Sequence, residues 1–182
     1  MSEPLLVIVT GPPATGKTTI ARELATRTQL PLLEKDAIKE LLFATIGAGD
    51  RERSREIGGA AFELLFDLTA RLLRAGTSLM LEANFWADTA EPRLGGLPPC
   101  RVFQLYLTAP RALVQERYEA RATSPERDPG HADTEAVLEV EQGLATSRWR
   151  ALALPGTLVV RSTDRRVDVE EIAALVRAEL DA

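Results

Sequence analysis

The sequence predicts an α/β fold, a parallel sheet with helices packed on both faces. Two observations carry this expectation. Short apolar runs alternate with amphipathic stretches along the chain, the pattern of successive strand–helix units. The first run, Leu5-Leu6-Val7-Ile8-Val9, leads through Thr10 into a loop bounded by Gly11 and Gly16, and Lys17-Thr18-Thr19 opens the next helix. This is G-x-x-x-x-G-K-T with a strand before it and a helix after it. The 182 residues, 45 % of them apolar, read as a single domain over 1–182 with enough interior for a full core.

Each element has a local reason. Five consecutive apolar residues make 5–10 a buried strand, and the helix after the loop runs from 16 to about 28 with Ile20 and Leu24 on its apolar side. Residues 30–33 form a short second strand, where Pro31 suits an edge or a strand start. A short helix over 37–43 and a glycine-containing loop over 45–50 follow. The helix over 52–74 is expected to bury Ile57, Ala61, Leu64, Leu68 and Leu72, a stripe widened by Phe62, Leu65 and Phe66. Ala75-Gly76 ends it. Strand three, 78–81, delivers Glu82-Ala83-Asn84, followed by a short helix and a loop rich in proline and glycine. Strand four spans 101–107, and Pro110 starts a helix that runs to about 122. Residues 122–132, interrupted by Pro125, Pro129 and Gly130, read as a short lid. A helix from beyond Asp133 to about 150, a strand over 157–161 and a helix over 167–180 complete the chain.

Composition narrows the function classes. Lys plus Arg total 22 against 27 Asp plus Glu, a net charge of −5, which argues against a broad nucleic-acid surface while leaving room for a local basic groove. The single cysteine, Cys100, excludes an intramolecular disulfide and a cysteine-based metal cluster. No apolar run approaches the roughly 18 residues of a membrane span. The first strand begins after four residues, so the expectation is a cytoplasmic protein without signal peptide or membrane contact, monomeric or homodimeric.

The glycine loop has the chemistry of a polyphosphate site. Backbone N–H groups of Ala14, Thr15, Gly16, Lys17, Thr18 and Thr19 can converge on an anion, and the helix N-terminus adds a favourable partial charge. Pro12 and Pro13 lack the N–H and stiffen the loop instead. Gly11 and Gly16 permit close approach and unusual backbone angles. Lys17 is expected between the β- and γ-phosphates, with the Thr18 hydroxyl on Mg²⁺. An ordinary glycine turn would not require Lys-Thr at this offset.

Ligands of open parallel sheets bind beyond the carboxyl ends of the strands. Asp36, at the end of strand two, is a candidate general base for an acceptor hydroxyl, or the N-cap of a helix starting at Ala37. Glu82, at the end of strand three, is a candidate acid for Mg²⁺ or the acceptor, or a strand-end carboxylate paired with a cation. Asn84 is a substrate ligand or a turn former. Arg117 and Arg121 lie four apart on one helix face, a spacing unfavourable for like charges unless an anion lies between them, although Glu116 and Glu119 would make it a solvated face. Arg121 or Arg127 would reach the transferred phosphate from the lid. The catalytic set is therefore Lys17, Asp36, Arg121 and Arg127. His131, the only histidine, reads as a solvated or capping residue.

Gly11 to Thr18 resembles the Walker A motif of P-loop NTPases. Together with Asp36 and the Arg117-x-x-x-Arg121 helix before the lid, the chain resembles the adenylate-kinase-like branch of P-loop kinases, near chloramphenicol phosphotransferase and polynucleotide 5′-hydroxyl kinase domains. The resemblance implies a three-layer α/β/α P-loop NTPase fold with a five-stranded parallel sheet in the order 2-3-1-4-5, and ATP with Mg²⁺. It also implies Arg117 and Arg121 as nucleotide ligands, and Thr163 and Arg165, after strand five, beside adenine. Polynucleotide kinases carry Asp-x-x-Arg after strand two. Here the stretch is Asp36-Ala37-Ile38-Lys39, so Asp36 carries over as the base, while Lys39 keeps the charge of the phosphate ligand without its bidentate fork. Two prolines in the loop and no second glycine before Gly16 depart from the commonest nucleoside-monophosphate kinase loops.

Three functions follow for comparison. The first is an ATP-dependent phosphotransferase acting on a hydroxyl of a small molecule, with Asp36, Lys39, Glu82 and Asn84 on the acceptor side. The second is a polynucleotide 5′-hydroxyl kinase, favoured by Asp36-x-x-Lys39 and disfavoured by the net charge. The third is a nucleotide-dependent switch that has no acceptor.

Overall fold

A computed structural model describes residues 3–125 and 128–182. Its centre is a sheet of five parallel strands in the order β2-β3-β1-β4-β5: β1 Leu5–Thr10, β2 Leu32–Glu34, β3 Leu79–Glu82, β4 Arg101–Thr108 and β5 Thr157–Ser162. β1 is buried along its whole length, between β3 and β4, which is why it is an unbroken apolar run rather than an alternating one. Its side chains divide by parity. Leu5, Val7 and Val9 pack with Leu24 of α1 (Lys17–Thr28) and with Ile172 and Val176 of α7 (Val169–Asp181). Leu6 and Ile8 face Leu65, Phe66 and Leu73 of α3 (Arg51–Arg74) and Leu94 of α4 (Ala87–Gly95). The two faces together make the expected three layers. β2, with Pro31 just before it, is an edge strand.

The structure corrects several expectations. α3 buries Ile57, Ala61, Leu65, Thr69 and Leu73, while Leu64 and Leu68 remain 42 % and 40 % exposed. The buried line steps by four throughout. Thr69 disguised it in the sequence, because its hydroxyl donates to Leu65 O at 2.6 Å and so sits in apolar surroundings without an unmet polar group. α2 starts earlier and ends later than expected, at Lys35–Ile46. Glu34 takes its N-cap position and Asp36 lies inside the first turn, so Asp36 is not the cap. Pro110 precedes α5 (Arg111–Ala122) instead of opening it.

The stretch read as a lid is partly a folded wall. Pro129–His131 and Thr134–Ala136 form 3₁₀ turns, and Gly130 packs so closely that an added Cβ would lie 2.7 Å from the Phe43 ring. The helix expected to reach 150 is α6, Val137–Ala145. It closes with Ser147 in the left-handed region (φ 52°), Ser147 N–H donating to Leu144 O and Arg148 N–H to Gly143 O, a Schellman closure built without glycine. α3, in contrast, ends in the same closure with Gly76 at φ 74°, as its sequence suggests.

Gly11 is needed for space rather than for flexibility alone. Its φ is +143°, and a Cβ there would lie 2.0 Å from the carbonyl oxygen of Leu107 on β4. Backbone cannot yield as a side chain can. Gly11→Ala should lower unfolding free energy by about 2–3 kcal/mol, read as a drop in the urea midpoint at unchanged slope.

Candidate active site

The sheet register assembles the site. Glu82 pairs with Val9, two residues before Gly11, so the acid at the end of β3 emerges beside the loop that follows β1. Thr18 Oγ1 donates to Glu82 Oε2 at 3.1 Å. Lys17 Nζ donates to Pro12 O at 2.7 Å, and Thr15 Oγ1 donates to the same carbonyl at 2.8 Å. Pro12 thus contributes the acceptor that holds the lysine across the loop. Gly16 takes the N-cap position of α1 at φ 75° and supplies no capping side chain, which leaves the first-turn amides to a ligand. Ala14 sits at φ 59°, where a second glycine would ordinarily stand.

Lys17 and Glu82 are both buried, and burial dominates their protonation. Burial pushes the Lys17 ammonium down to about 8, against the opposing pull of Glu82. It raises the Glu82 carboxyl above its ordinary value, with Lys17 opposing. A polyphosphate and a cation would reverse both penalties.

Beside them opens a cavity of about 520 Å³, lined by Lys17, Thr18, Asp36, Lys39, Glu82 and Asn84 among others. Asp36 Oδ1 pairs with Lys35 Nζ at 2.9 Å. Lys39 is buried, donates from Nζ to Ser54 Oγ at 2.8 Å and lies 5.1 Å from the Phe43 ring centroid. Burial and the neighbouring Lys35 charge push its pKa down to about 8.

The side chains of Arg117 and Arg121, four apart on α5, reach different sites. Arg117 donates to Thr163 Oγ1 (3.2 Å) and to Thr163 O (2.9 Å), in a second cavity of about 420 Å³ with Gly16, Thr19 and Arg165. Arg121 lines the larger cavity, 3.6 Å from Asp133, and its buried Nε has no hydrogen-bond partner. The glycine loop lies between the two cavities, since Ala14, Thr15, Gly16 and Thr19 line one while Pro13, Lys17 and Thr18 line the other. Arg127, expected to act from the lid, lies outside the described residues.

His131 is neither solvated nor a cap. It is 3 % exposed, its Nε2 lies 2.9 Å from Glu40 Oε1, and its ring stands edge-on to Phe43. Its carbonyl accepts from Arg51 and Ser54, which ties the turn to α3. Lys35, Arg51, Ser54, Tyr118 and Asp133 also line the cavity without having been singled out in the sequence. Only Lys35, next to Asp36, had a local signal.

The chain belongs to the AAA domain family, a family of P-loop kinase-like domains, whose profile matches residues 6–146. A Chloroflexus aurantiacus protein described as a proposed kinase is 36 % identical, with a TM-score of 0.84 over 97 % of this chain and 98 % of its own. A sugar kinase from a Janibacter species (19 % identity, TM-score 0.61, 99 % and 95 % covered) has the same fold. So does a tunicamycin resistance protein from Deinococcus radiodurans (19 %, 0.55, 98 % and 96 %). A search of curated protein sequences finds no match. Among the described residues, no helix is long and apolar enough to cross a membrane.

The Lys39 environment predicts a pH dependence of stability. Its folded pKa of about 8 lies below the ordinary lysine value of 10.5, so folding with Lys39 charged is penalised at pH below 8, and the penalty fades as pH rises toward 10.5. In Lys39→Met this contribution is gone. The stability of the variant minus that of the parent should therefore fall between pH 7 and 10 in urea titrations; a constant difference would refute the shift.

Proposed function

We propose that the protein is an ATP-dependent phosphotransferase that moves the γ-phosphoryl group to a hydroxyl of a small molecule, with Asp36 as general base. The observation that carries this reading is that one cavity contains Lys17, the Thr18–Glu82 pair and Asp36, with Arg121 also on its wall. The base of the nucleotide would lie in the second cavity, against Arg117, Thr163 and Arg165, and the triphosphate would run along the loop amides into the first. A cavity of about 520 Å³ suits the phosphoryl end of a nucleotide together with a small acceptor.

In the transfer, the acceptor oxygen forms a bond to the γ-phosphorus as the bond to the β,γ-bridging oxygen breaks. The acceptor proton passes to the Asp36 carboxylate, and ADP leaves with the bridging oxygen. Lys17 and Arg121 face the charge that accumulates on the phosphoryl oxygens. The unpartnered Nε of Arg121 is a donor for which a phosphate oxygen would be the missing acceptor. Lys35 would hold Asp36 in position through their ion pair.

The residues fit Mg²⁺. Thr18 and Glu82 offer two hard oxygen donors 3.1 Å apart. Among the described residues there is no group of three His, Cys, Asp or Glu that would cage a metal alone, and Mg²⁺ characteristically keeps water and substrate phosphate as its remaining ligands. Bound there, it would supply charge neutralisation between the β- and γ-phosphates.

The test is ATP consumption with Mg²⁺ against panels of small alcohols, nucleosides and a 5′-hydroxyl oligonucleotide. Lys17→Ala should abolish turnover in a folded protein. Asp36→Asn should lower turnover about 100-fold or more while ATP affinity stays close to that of the parent. Acceptor-free hydrolysis indifferent to Asp36→Asn would favour a nucleotide switch, and turnover confined to the oligonucleotide would favour a polynucleotide kinase.

A further inference from the structure

The cavity wall also carries an aromatic–cation pair to which the phosphoryl transfer described above assigns no role. Trp86, just before α4, is 47 % exposed although it lines the cavity, and the Arg148 guanidinium lies 4.4 Å from its ring centroid. The pair is built rather than incidental. The Schellman closure at Ser147 turns the chain after α6, and Arg148 O accepts from Ala87 N at 3.1 Å, which fastens that turn to the start of α4. Arg150 adds ion pairs to Asp88 and Glu91 on α4. Trp149 packs against Gly143, where an added Cβ would lie 2.5 Å from the indole. Gln104, buried in β4, bonds both the N–H and the C=O of Leu152 and pins the following segment to the sheet.

Charge pairing on this wall singles out Arg148. Eight Lys and Arg side chains and five Asp and Glu side chains line the cavity. Arg93 pairs with Glu63, Arg51 and Arg55 share Glu139, Arg121 pairs with Asp133 and Lys35 with Asp36. Lys17 faces Glu82. Lys39 has a hydroxyl partner, Ser54 Oγ, at 2.8 Å. The Arg148 guanidinium lies over the Trp86 ring, and among the described residues it has no carboxylate partner. It therefore sets a cation with five donors beside a half-exposed indole.

We infer that the acceptor is a planar, aromatic alcohol bearing an anionic oxygen group, carboxylate or phosphate, with its ring against Trp86 and its anion on Arg148. The inference rests on reading this cavity as the acceptor site. Planar recognition follows from the indole, which stays half-exposed in the cavity wall. Anion recognition follows from the guanidinium, whose fork matches carboxylate and phosphate oxygens. Polycationic alcohols are disfavoured by the excess of positive charge on the wall.

The experiment is calorimetric binding to the full chain with ADP and Mg²⁺ present, so that no turnover is required. The probes are benzyl alcohol, 4-(hydroxymethyl)benzoate, 4-(hydroxymethyl)phenyl phosphate, 4-(aminomethyl)benzyl alcohol and glycerol. The two anionic probes should bind tighter than benzyl alcohol, and the cationic probe and glycerol weakest; which anion wins distinguishes carboxylate from phosphate. Arg148→Ala should weaken the anionic probes about tenfold and leave benzyl alcohol nearly unchanged, with Arg148→Lys in between. Trp86→Ala should weaken all the aromatic probes. The fold is checked by circular dichroism and ADP affinity. Absence of binding by every probe, a preference for the cation or glycerol, or equal loss for charged and neutral probes in Arg148→Ala would overturn the inference. The phosphotransfer reading fails separately: if Asp36→Asn leaves turnover intact while the binding order above holds, that reading falls and the ligand class stands.

Discussion

The site depends on a buried carboxylate that the protein alone satisfies poorly. Glu82 is 4 % exposed at the end of β3, with the Thr18 hydroxyl as a neutral donor and Lys17 as the nearby cation. An isolated carboxylate in such surroundings is strongly penalised, and so is the ammonium of Lys17, whose pKa falls to about 8. Register forces the two together: β3 is paired directly with β1, so the acid cannot move away from the glycine loop without breaking the sheet. Under the proposed function, a polyphosphate with its cation would supply the charges that offset both penalties, coupling binding free energy to the order of the site.

The parts of this arrangement written in local sequence were legible. The apolar run of β1, the offset of Lys17 and Thr18 from Gly16, and the position of Glu82 at the end of β3 each follow from neighbours in the chain, and the sheet order followed from the resemblance those motifs carry. What was not legible depended on long-range contacts. Thr69 looks polar and is buried because its hydroxyl turns back on its own helix. His131 looks like a loop residue and is buried because Phe43, Glu40 and Ser54 close around it from two helices. Arg117 and Arg121 look like one anion clamp. Their partners, Thr163 after β5 and Asp133 before α6, come from different parts of the chain and draw the two side chains apart. Spacing on a helix gives the face from which a side chain leaves, not where a long side chain ends.

Four of the described non-glycine residues take left-handed backbone, Ala14 (φ 59°), Gln29 (φ 57°), Ala132 (φ 50°) and Ser147 (φ 52°), a conformation that glycine would hold more cheaply, by of order 1 kcal/mol apiece. Ala14 lies in the glycine loop and Ser147 turns Arg148 and Trp149 back toward the cavity, while Gln29 ends α1 and Ala132 ends the turn at Pro129–His131. Gly76, which ends α3 away from the cavity, uses glycine for the same geometry.

The excess of positive charge in the cavity can then be apportioned by position. Lys17 and Arg121, which under the proposed function would meet a triphosphate, have protein counter-charges in Glu82 and Asp133, near enough to limit their repulsion. In the middle, Lys39 escapes the accumulation by becoming easier to deprotonate. At the far wall, Arg93 is held by Glu63 in a two-point ion pair against the Phe66 ring, so it serves the wall more than a ligand. Among the described residues Arg148 has no carboxylate partner, and its support comes from an indole and from backbone bonds that fix its position. A charge that is fixed in place and not neutralised by the protein is preorganised for a ligand that brings the opposite charge, because little is spent on rearranging the site when that ligand arrives. The acidic protein as a whole does not favour anions; this wall does, and only for a ligand small enough to enter and flat enough to lie on Trp86.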